Sequence, residues 1–390
     1  MLLSFSLIFL VGMALATLAE KCKLPRLVGM LLAGVMLGPQ VLHWLDSQTL
    51  SISGDLRKMA LVLILLKAGL TLRLSELKRV GKGAIGLSFL PATFEMIAVT
   101  FLAQWLLGIP LWQSALLGAI LSAVSPAVVV PHMTRLIDEK RGTKKCIPQM
   151  LLAGASMDDV YVIVIFSALL SLAQGGTVNA LQFLDIPLSI LIGLGTGASV
   201  GVGLSYFFQK FAMRDSLKGL LLLGLGFLLV GLEDILPFPF SGLLAVISMG
   251  IGLGQKNAPI AKRLSEKCAK LWVGAELILF VLVGAALQIH SAWEAGVASI
   301  AVILLALCVR SIGTWLAIST EKLTPKEKLF CLVAYLPKAT VQAAIGSVPL
   351  SVGLSSGQTI LAVAVMAILI TAPLGAFLID KLAPICLHKD

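Results

Sequence analysis

Apolar residues in this chain come in runs of about 18 to 25, the length that carries an α-helix across a bilayer. Charged residues fall in short bursts between those runs. The pattern predicts helices over 2–19, 25–42, 56–72, 83–107, 112–134, 146–172, 180–206, 217–235, 239–255, 269–288, 294–319, 326–350 and 357–383. The alternating ten-residue segments of a transmembrane β-barrel are not seen. The pattern therefore reads as an all-α integral membrane protein of about thirteen transmembrane helices, one unit without a long soluble insertion. The first apolar segment lacks a basic leader and a small-x-small cleavage site, so it reads as a helix and not as a signal peptide.

Composition supports the membrane reading. Hydrophobic residues fill 58% of the 390 positions and charged residues only 13%, about half the charge a soluble domain uses to cover its surface. The 36 glycines suit close helix packing in lipid. A net charge of +10 raises nucleic acid as a partner, and its placement argues against it. Most Lys and Arg lie in links on one side: Lys21, Lys23 and Arg26; Arg73, Lys78, Arg79 and Lys82; Arg135, Lys140, Arg141, Lys144 and Lys145. Lys210, Arg214 and Lys218, the group from Lys256 to Lys270, Lys322, Lys326 and Lys328, and the tail lysines Lys381 and Lys389 continue it. Only Arg57 and Lys58 fall on the other side. By the positive-inside rule the amino terminus lies outside and the carboxyl terminus in the cytoplasm. The partner expected is the lipid bilayer of the cell (inner or plasma) membrane. No cysteine falls in an outside loop, so no disulfide framework is expected.

With spans 1–6 and 8–13 as two halves, span 7 becomes a linker and the second half enters from the opposite side. That is the inverted-repeat plan of many secondary transporters, and it predicts matching interruptions. Span 5 carries Ser122-Ala-Val-Ser125-Pro126 with Pro131 beyond, and span 12 carries Tyr335-Leu-Pro337-Lys338-Ala-Thr340. Proline removes a backbone donor and clashes with the preceding turn, so Pro126 and Pro337 are expected to break helices 5 and 12 near mid-membrane. Freed backbone groups at that depth are tolerated only inside protein or beside a water-filled cavity.

Ionisable residues at the bilayer centre are costly and mark a pathway. Glu95 (span 4), Asp158 and Asp159 (span 6), Arg310 (span 11) and Lys338 (span 12) all fall in the same third of each half. Adjacent helical residues point about 100° apart. One of the two aspartates is therefore free to face a cavity while the other meets a neighbouring helix, with Lys338 and Arg310 as candidate partners. Three carboxylates against two cations leave a net charge of −1, which one monovalent cation or one proton cancels. Ser125, Ser156 and Thr340 are candidate neutral oxygen ligands or simple interhelical donors. Lys67 and Glu276 are read as a pair or as side chains reaching an interface, and His132 as an interfacial histidine or a pH sensor. The stretch Gly193–Gly201 has no strand before it, so it reads as helix packing and not as a nucleotide loop.

At these residues the sequence resembles the cation/proton antiporter superfamily, and within it the NHA-type sodium/proton antiporters. The motifs are Ser122–Pro131, the Asp158-Asp159 pair, Leu336–Gly346 and Leu65–Leu70, where Lys67 stands in place of the arginine expected. The resemblance implies a homodimer and an elevator-like motion. The core would be 83–172 and 294–383, the dimerisation or scaffold domain 1–72 and 207–288, and the linker helix 180–206. It implies Asp159 as the main sodium and proton ligand, Asp158 assisting it and paired with Lys338, and a Glu95–Arg310 ion pair. Glu276 departs from the family pattern. No cofactor is expected, the cargo being Na+ (or Li+) and H+. A potassium/proton antiporter would be expected to carry Gln-Asp and a long nucleotide-binding tail. A sodium-coupled organic-anion symporter would need room for a larger solute than five clustered charges suggest. An intramembrane aspartyl protease, the enzyme alternative, needs its two aspartates on different helices.

Overall fold

The computed structural model describes residues 1–72, 82–174, 180–233, 235–288, 290 and 296–389; the links holding Arg73, Lys78 and Arg79 lie outside them. Apart from one isolated bridge, Arg141 with Lys389, the described residues are helices and their connections. In chain order these are α1 (Leu2–Lys21), α2 (Arg26–Leu37), α3 (Ser47–Ser51), α4 (Ser53–Thr71), α5 (Lys82–Leu87), α6 (Leu90–Leu107) and α7 (Leu111–Ser122). There follow α8 (Pro126–Asp138), α9 (Ile147–Gln174), α10 (Ala180–Lys210), α11 (Asp215–Glu233), α12 (Gly242–Lys256) and α13 (Ala258–Ala286). The last are α14 (Gly296–Ala317), α15 (Pro325–Ala334), α16 (Thr340–Gly346), α17 (Val348–Ser351) and α18 (Gly357–Cys386).

Among the described residues, nine helical stretches are long and apolar enough to cross a membrane by length and composition. The remaining four predicted spans differ for physical reasons. Segments 25–42 and 239–255 are shorter apolar helices; the first stops at Leu37, where Gly38 turns extended before Pro39. Segment 56–72 is the 19-residue α4, whose Asp55, Arg57, Lys58 and Lys67 dilute its apolar run. Segment 326–350 is split into α15, α16 and α17. Local sequence sets many of the ends. α6 takes Pro91 in its first turn and stops at Gly108, whose φ of 65° is a left-handed conformation that glycine adopts without strain. α15 opens with a capping box: Thr324 Oγ1 accepts from the Glu327 N–H, and Glu327 Oε2 accepts from the Thr324 N–H at 2.6 Å.

The chain divides into two compact units, Met1–Gly54 with Ser75–Val162 and Phe280–Asp390, and Asp55–Leu74 with Ile163–Leu279. In the second, α10 lies against α12 at backbone distance. A Cβ on Gly197 would stand 2.1 Å from the Ala245 carbonyl oxygen, and one on Gly201 2.1 Å from that of Met249. The glycine-rich stretch is thus a helix-packing seam. In the first unit α6 packs on α7 and α14, and α18 on α15 and α16. Its outer faces are apolar, with Leu10, Phe101, Trp105 and Phe377 all more than 60% exposed. Glu95, Asp158, Arg310 and Lys338 are turned inward, the inversion that a lipid solvent imposes.

Candidate functional site

The site is built where two helices fail to continue. α7 ends at Ser122, Ala123 and Ser125 are extended, and α8 starts at Pro126. α15 ends at Ala334, and α16 starts at Thr340 after an irregular segment holding Pro337 and Lys338. The two interruptions meet: the Ser125 N–H donates to the Pro337 carbonyl at 2.8 Å. α18 approaches the second of them closely, since a Cβ on Gly375 would stand 2.3 Å from the Pro337 ring.

A broken helix exposes carbonyls at its C-terminal end, where the partial charge is negative. Arg310 of α14, fully buried, satisfies both ends at once. Its Nε donates to the Tyr335 carbonyl at 2.6 Å, and its Nη1 donates to the Ser122 carbonyl. The same Nη1 donates to Glu95 Oε2 of α6 at 2.6 Å. Lys338 Nζ reaches that carboxylate oxygen too, at 2.5 Å, while the Lys338 N–H is held by Thr371 Oγ1 of α18 at 2.9 Å. Glu95 therefore bridges both cations. The Glu95–Arg310 pair implied by the resemblance is formed. The implied Asp158–Lys338 pair is not, because Lys338 is taken by Glu95.

Asp158 of α9 uses its Oδ2 to accept the Val124 N–H at 2.7 Å and lies 3.8 Å from Arg310 Nη2. Its Oδ1 is buried without a hydrogen bond, as are Ser125 Oγ, Asp159 Oδ1 and Arg310 Nη2. Asp159 is half-buried, and no ion pair holds it among the described residues. The charges thus sort unevenly. Two cations serve Glu95, one of them also serves Asp158, and the surplus negative charge falls to Asp159. Buried polar atoms in native proteins are nearly always satisfied, so each of these unsatisfied oxygens is open to a small cation or a proton. Ser156 is exposed, its hydroxyl donating to the Leu152 carbonyl of its own helix at 2.9 Å. Thr340 is buried as the first residue of α16.

Other residues singled out from sequence lie elsewhere. His132 Nδ1 is 2.7 Å from the Val128 carbonyl and its Nε2 is 3.4 Å from Asp380, which also accepts from Arg135 at 2.6 Å. Lys67 and Glu276 belong to the second unit. Gln342 was overlooked in the sequence and is central. Its Nε2 donates to the carbonyls of Ile120 (3.1 Å) and Ala123 (2.8 Å), at the end of α7, and its Oε1 accepts the Ala339 N–H at 2.8 Å. An uncharged amide in mid-span was the signal. Gln342→Leu is expected to lower thermal stability in detergent by on the order of 2 kcal/mol, since two backbone ends lose their partners. An unchanged melting curve would remove Gln342 from this role.

Comparison with known proteins bears on the same residues. The family profile of the sodium/hydrogen exchanger, transmembrane, matches residues 5–382. The chain belongs to the sodium/hydrogen exchanger family. This exchanger is 36% identical over 393 residues to Sodium/hydrogen exchanger 9B2 of Homo sapiens, covering 94% of this chain and 70% of that protein. It is 33% identical to Sodium/hydrogen exchanger 9B1 of Homo sapiens, covering 93% and 72%. The structure of the sodium proton antiporter MjNhaP1 from Methanocaldococcus jannaschii at pH 8 matches it with a TM-score of 0.81 and 25% identity, covering 98% of this chain and 97% of that one. The resemblance read from the motifs is to this family, and the exchanger is a multi-pass membrane protein.

Proposed function

We propose that this exchanger is a secondary antiporter that moves Na+ (or Li+) in exchange for H+ across the cytoplasmic membrane by elevator-like alternating access. The observation that carries the reading is the surplus carboxylate. Three acids face two bases, and the acid left unpaired is Asp159, beside Asp158 with its own free Oδ1. Charge left uncompensated at low dielectric is expensive, so the site is loaded with one sodium or one proton before it crosses. Exchange follows from that electrostatic condition. Asp159 is the main ligand for both ions and Asp158 assists it, with Ser125 and Ser156 as neutral oxygen candidates. Glu95, Arg310 and Lys338 are the ion-paired frame.

Matching interruptions joined by the Ser125–Pro337 hydrogen bond support two inverted repeats with crossing broken helices. The moving core would be 83–172 and 294–383, sliding against 1–72 and 207–288 in a homodimer, with 180–206 as linker. The amino terminus would lie outside and the carboxyl terminus in the cytoplasm, with the bilayer and not nucleic acid as partner. Lys338 is neutralised by Glu95 and not by Asp158, which supports one proton per sodium.

Proteoliposomes with a trapped pH dye test this. A sodium gradient is expected to drive opposite proton movement, and an imposed membrane potential alone is expected to leave the rate unchanged. No sodium-, lithium- or potassium-driven proton movement would overturn the reading. A response to potassium in place of sodium would move the assignment to a potassium antiporter.

A further inference from the structure

Predicted span 4 contains an interruption of its own. α5 ends at Leu87 and α6 starts at Leu90. Phe89 between them stands at φ −145° and ψ −34°, outside helical geometry. The buried Ser88 hydroxyl turns back to the Ala84 carbonyl at 2.8 Å, and the Phe89 carbonyl accepts the Thr93 N–H at 2.9 Å.

α9, the helix of the two aspartates, grips this interruption through Tyr161. The Tyr161 ring meets the Phe89 ring edge to face, with centroids 6.4 Å apart. Its hydroxyl lies 2.8 Å from Thr93 Oγ1. Thr93 Oγ1 already donates to the Phe89 carbonyl at 2.7 Å. A hydroxyl has one proton to give, so Tyr161 is the donor and Thr93 the acceptor. One phenol thus ties α9 to the first turn of α6, within the first unit.

The place of this tie on α9 matters for the site. Tyr161 follows Asp159 by two residues, which is about 200° around a helix. Asp159 therefore points nearly opposite to the face that α9 turns toward Thr93. Asp158 has a tether of its own, the Val124 N–H at 2.7 Å. Asp159 has no ion pair among the described residues, and its Oδ1 makes no hydrogen bond. Its carboxylate stands where the backbone of α9 puts it. A rotation of α9 by about 10° would carry a carboxylate roughly 5 Å from the helix axis by about 1 Å. Binding constellations tolerate only about 0.5 Å.

Resting on the antiport reading, we infer that Tyr161 is a positioning residue for sodium: its hydrogen bond to Thr93 fixes the rotation of α9 and with it the place of Asp159. The Asp158–Val124 bond alone is a single tether about which the helix can turn. The phenol supplies the second point that holds it, three residues further along. Its loss costs sodium affinity and leaves both aspartates present.

Tyr161→Phe keeps the ring on Phe89 and removes only the hydroxyl. In proteoliposomes the apparent KM for sodium is expected to rise about three- to tenfold, with the rate at saturating sodium unchanged. Thr93→Val removes the same bond from the other side and should match it. The double variant should be no worse than either single one, the mark of one shared interaction. Thr93→Ser retains the acceptor and should stay within about twofold of wild type. In detergent, the sodium concentration giving half of the sodium-dependent rise in melting temperature should shift by the same factor. An unchanged KM and half-point in Tyr161→Phe would overturn the inference. So would effects that multiply in the double variant, or a fall in rate that is equal at all sodium concentrations. A wild-type protein that neither moves a cation nor is stabilised by sodium would instead overturn the antiport reading.

Discussion

Asp159→Asn is expected to reduce sodium-driven proton movement to the level of empty liposomes while leaving the protein folded. The asymmetry follows from the partners of the three acids. Glu95 is held by Arg310 and Lys338, and Asp158 by the Val124 N–H and Arg310. Asp159 has no such support among the described residues. The neutral amide removes the group that must alternate between sodium and a proton, and breaks no ion pair in doing so. Its melting temperature in detergent should equal or exceed that of the wild type, and the stabilisation by added sodium should disappear. Retained sodium-driven transport, or a sodium-dependent thermal shift of wild-type size, would contradict the role given to Asp159.

Arg310→Ala should have the opposite profile, losing the fold first. The guanidinium satisfies the C-terminal carbonyl of one broken helix, the carbonyl following the other, and the Glu95 carboxylate. Removing one partner of a buried ion pair costs roughly 3–5 kcal/mol, because the other charge is left without its counter-ion. Glu95 would retain Lys338, which moderates the loss, but both helix ends would lose their donor. Arg310→Lys should rescue little, since one ammonium cannot occupy three directions that a planar fork reaches. Melting curves and yield in detergent read this. A variant as stable as the wild type would show that the guanidinium does not hold the two interruptions together.

How much of this was legible in the sequence depended on the type of signal. The five intramembrane charges were, because each is costly in lipid and therefore conspicuous against apolar runs. The interruptions were also visible, because Pro126 and Pro337 cannot continue a helix. The partners were not. Three acids and two bases on four spans admit several pairings, and only the reach of Glu95 between α14 and the α15–α16 interruption decides that Lys338 meets Glu95 and not Asp158. Gln342 was missed because a neutral polar residue stands out weakly beside charges. Its role depends on which backbone ends it meets in space. Helix lengths failed where the pattern was diluted: α2 stops at Leu37, short of the predicted end, and α13 runs back to Ala258 through the basic segment that hydropathy had assigned to a link.

The central claim is that sodium and a proton satisfy one surplus negative charge in turn. The most direct measurement is sodium binding to the purified exchanger in weakly buffered detergent, counting protons released per sodium bound. About one proton per sodium is predicted at a pH low enough for the site to start protonated, and none from Asp159→Asn. Sodium binding without proton release, or equal release from the Asp159 variant, would contradict the mechanism.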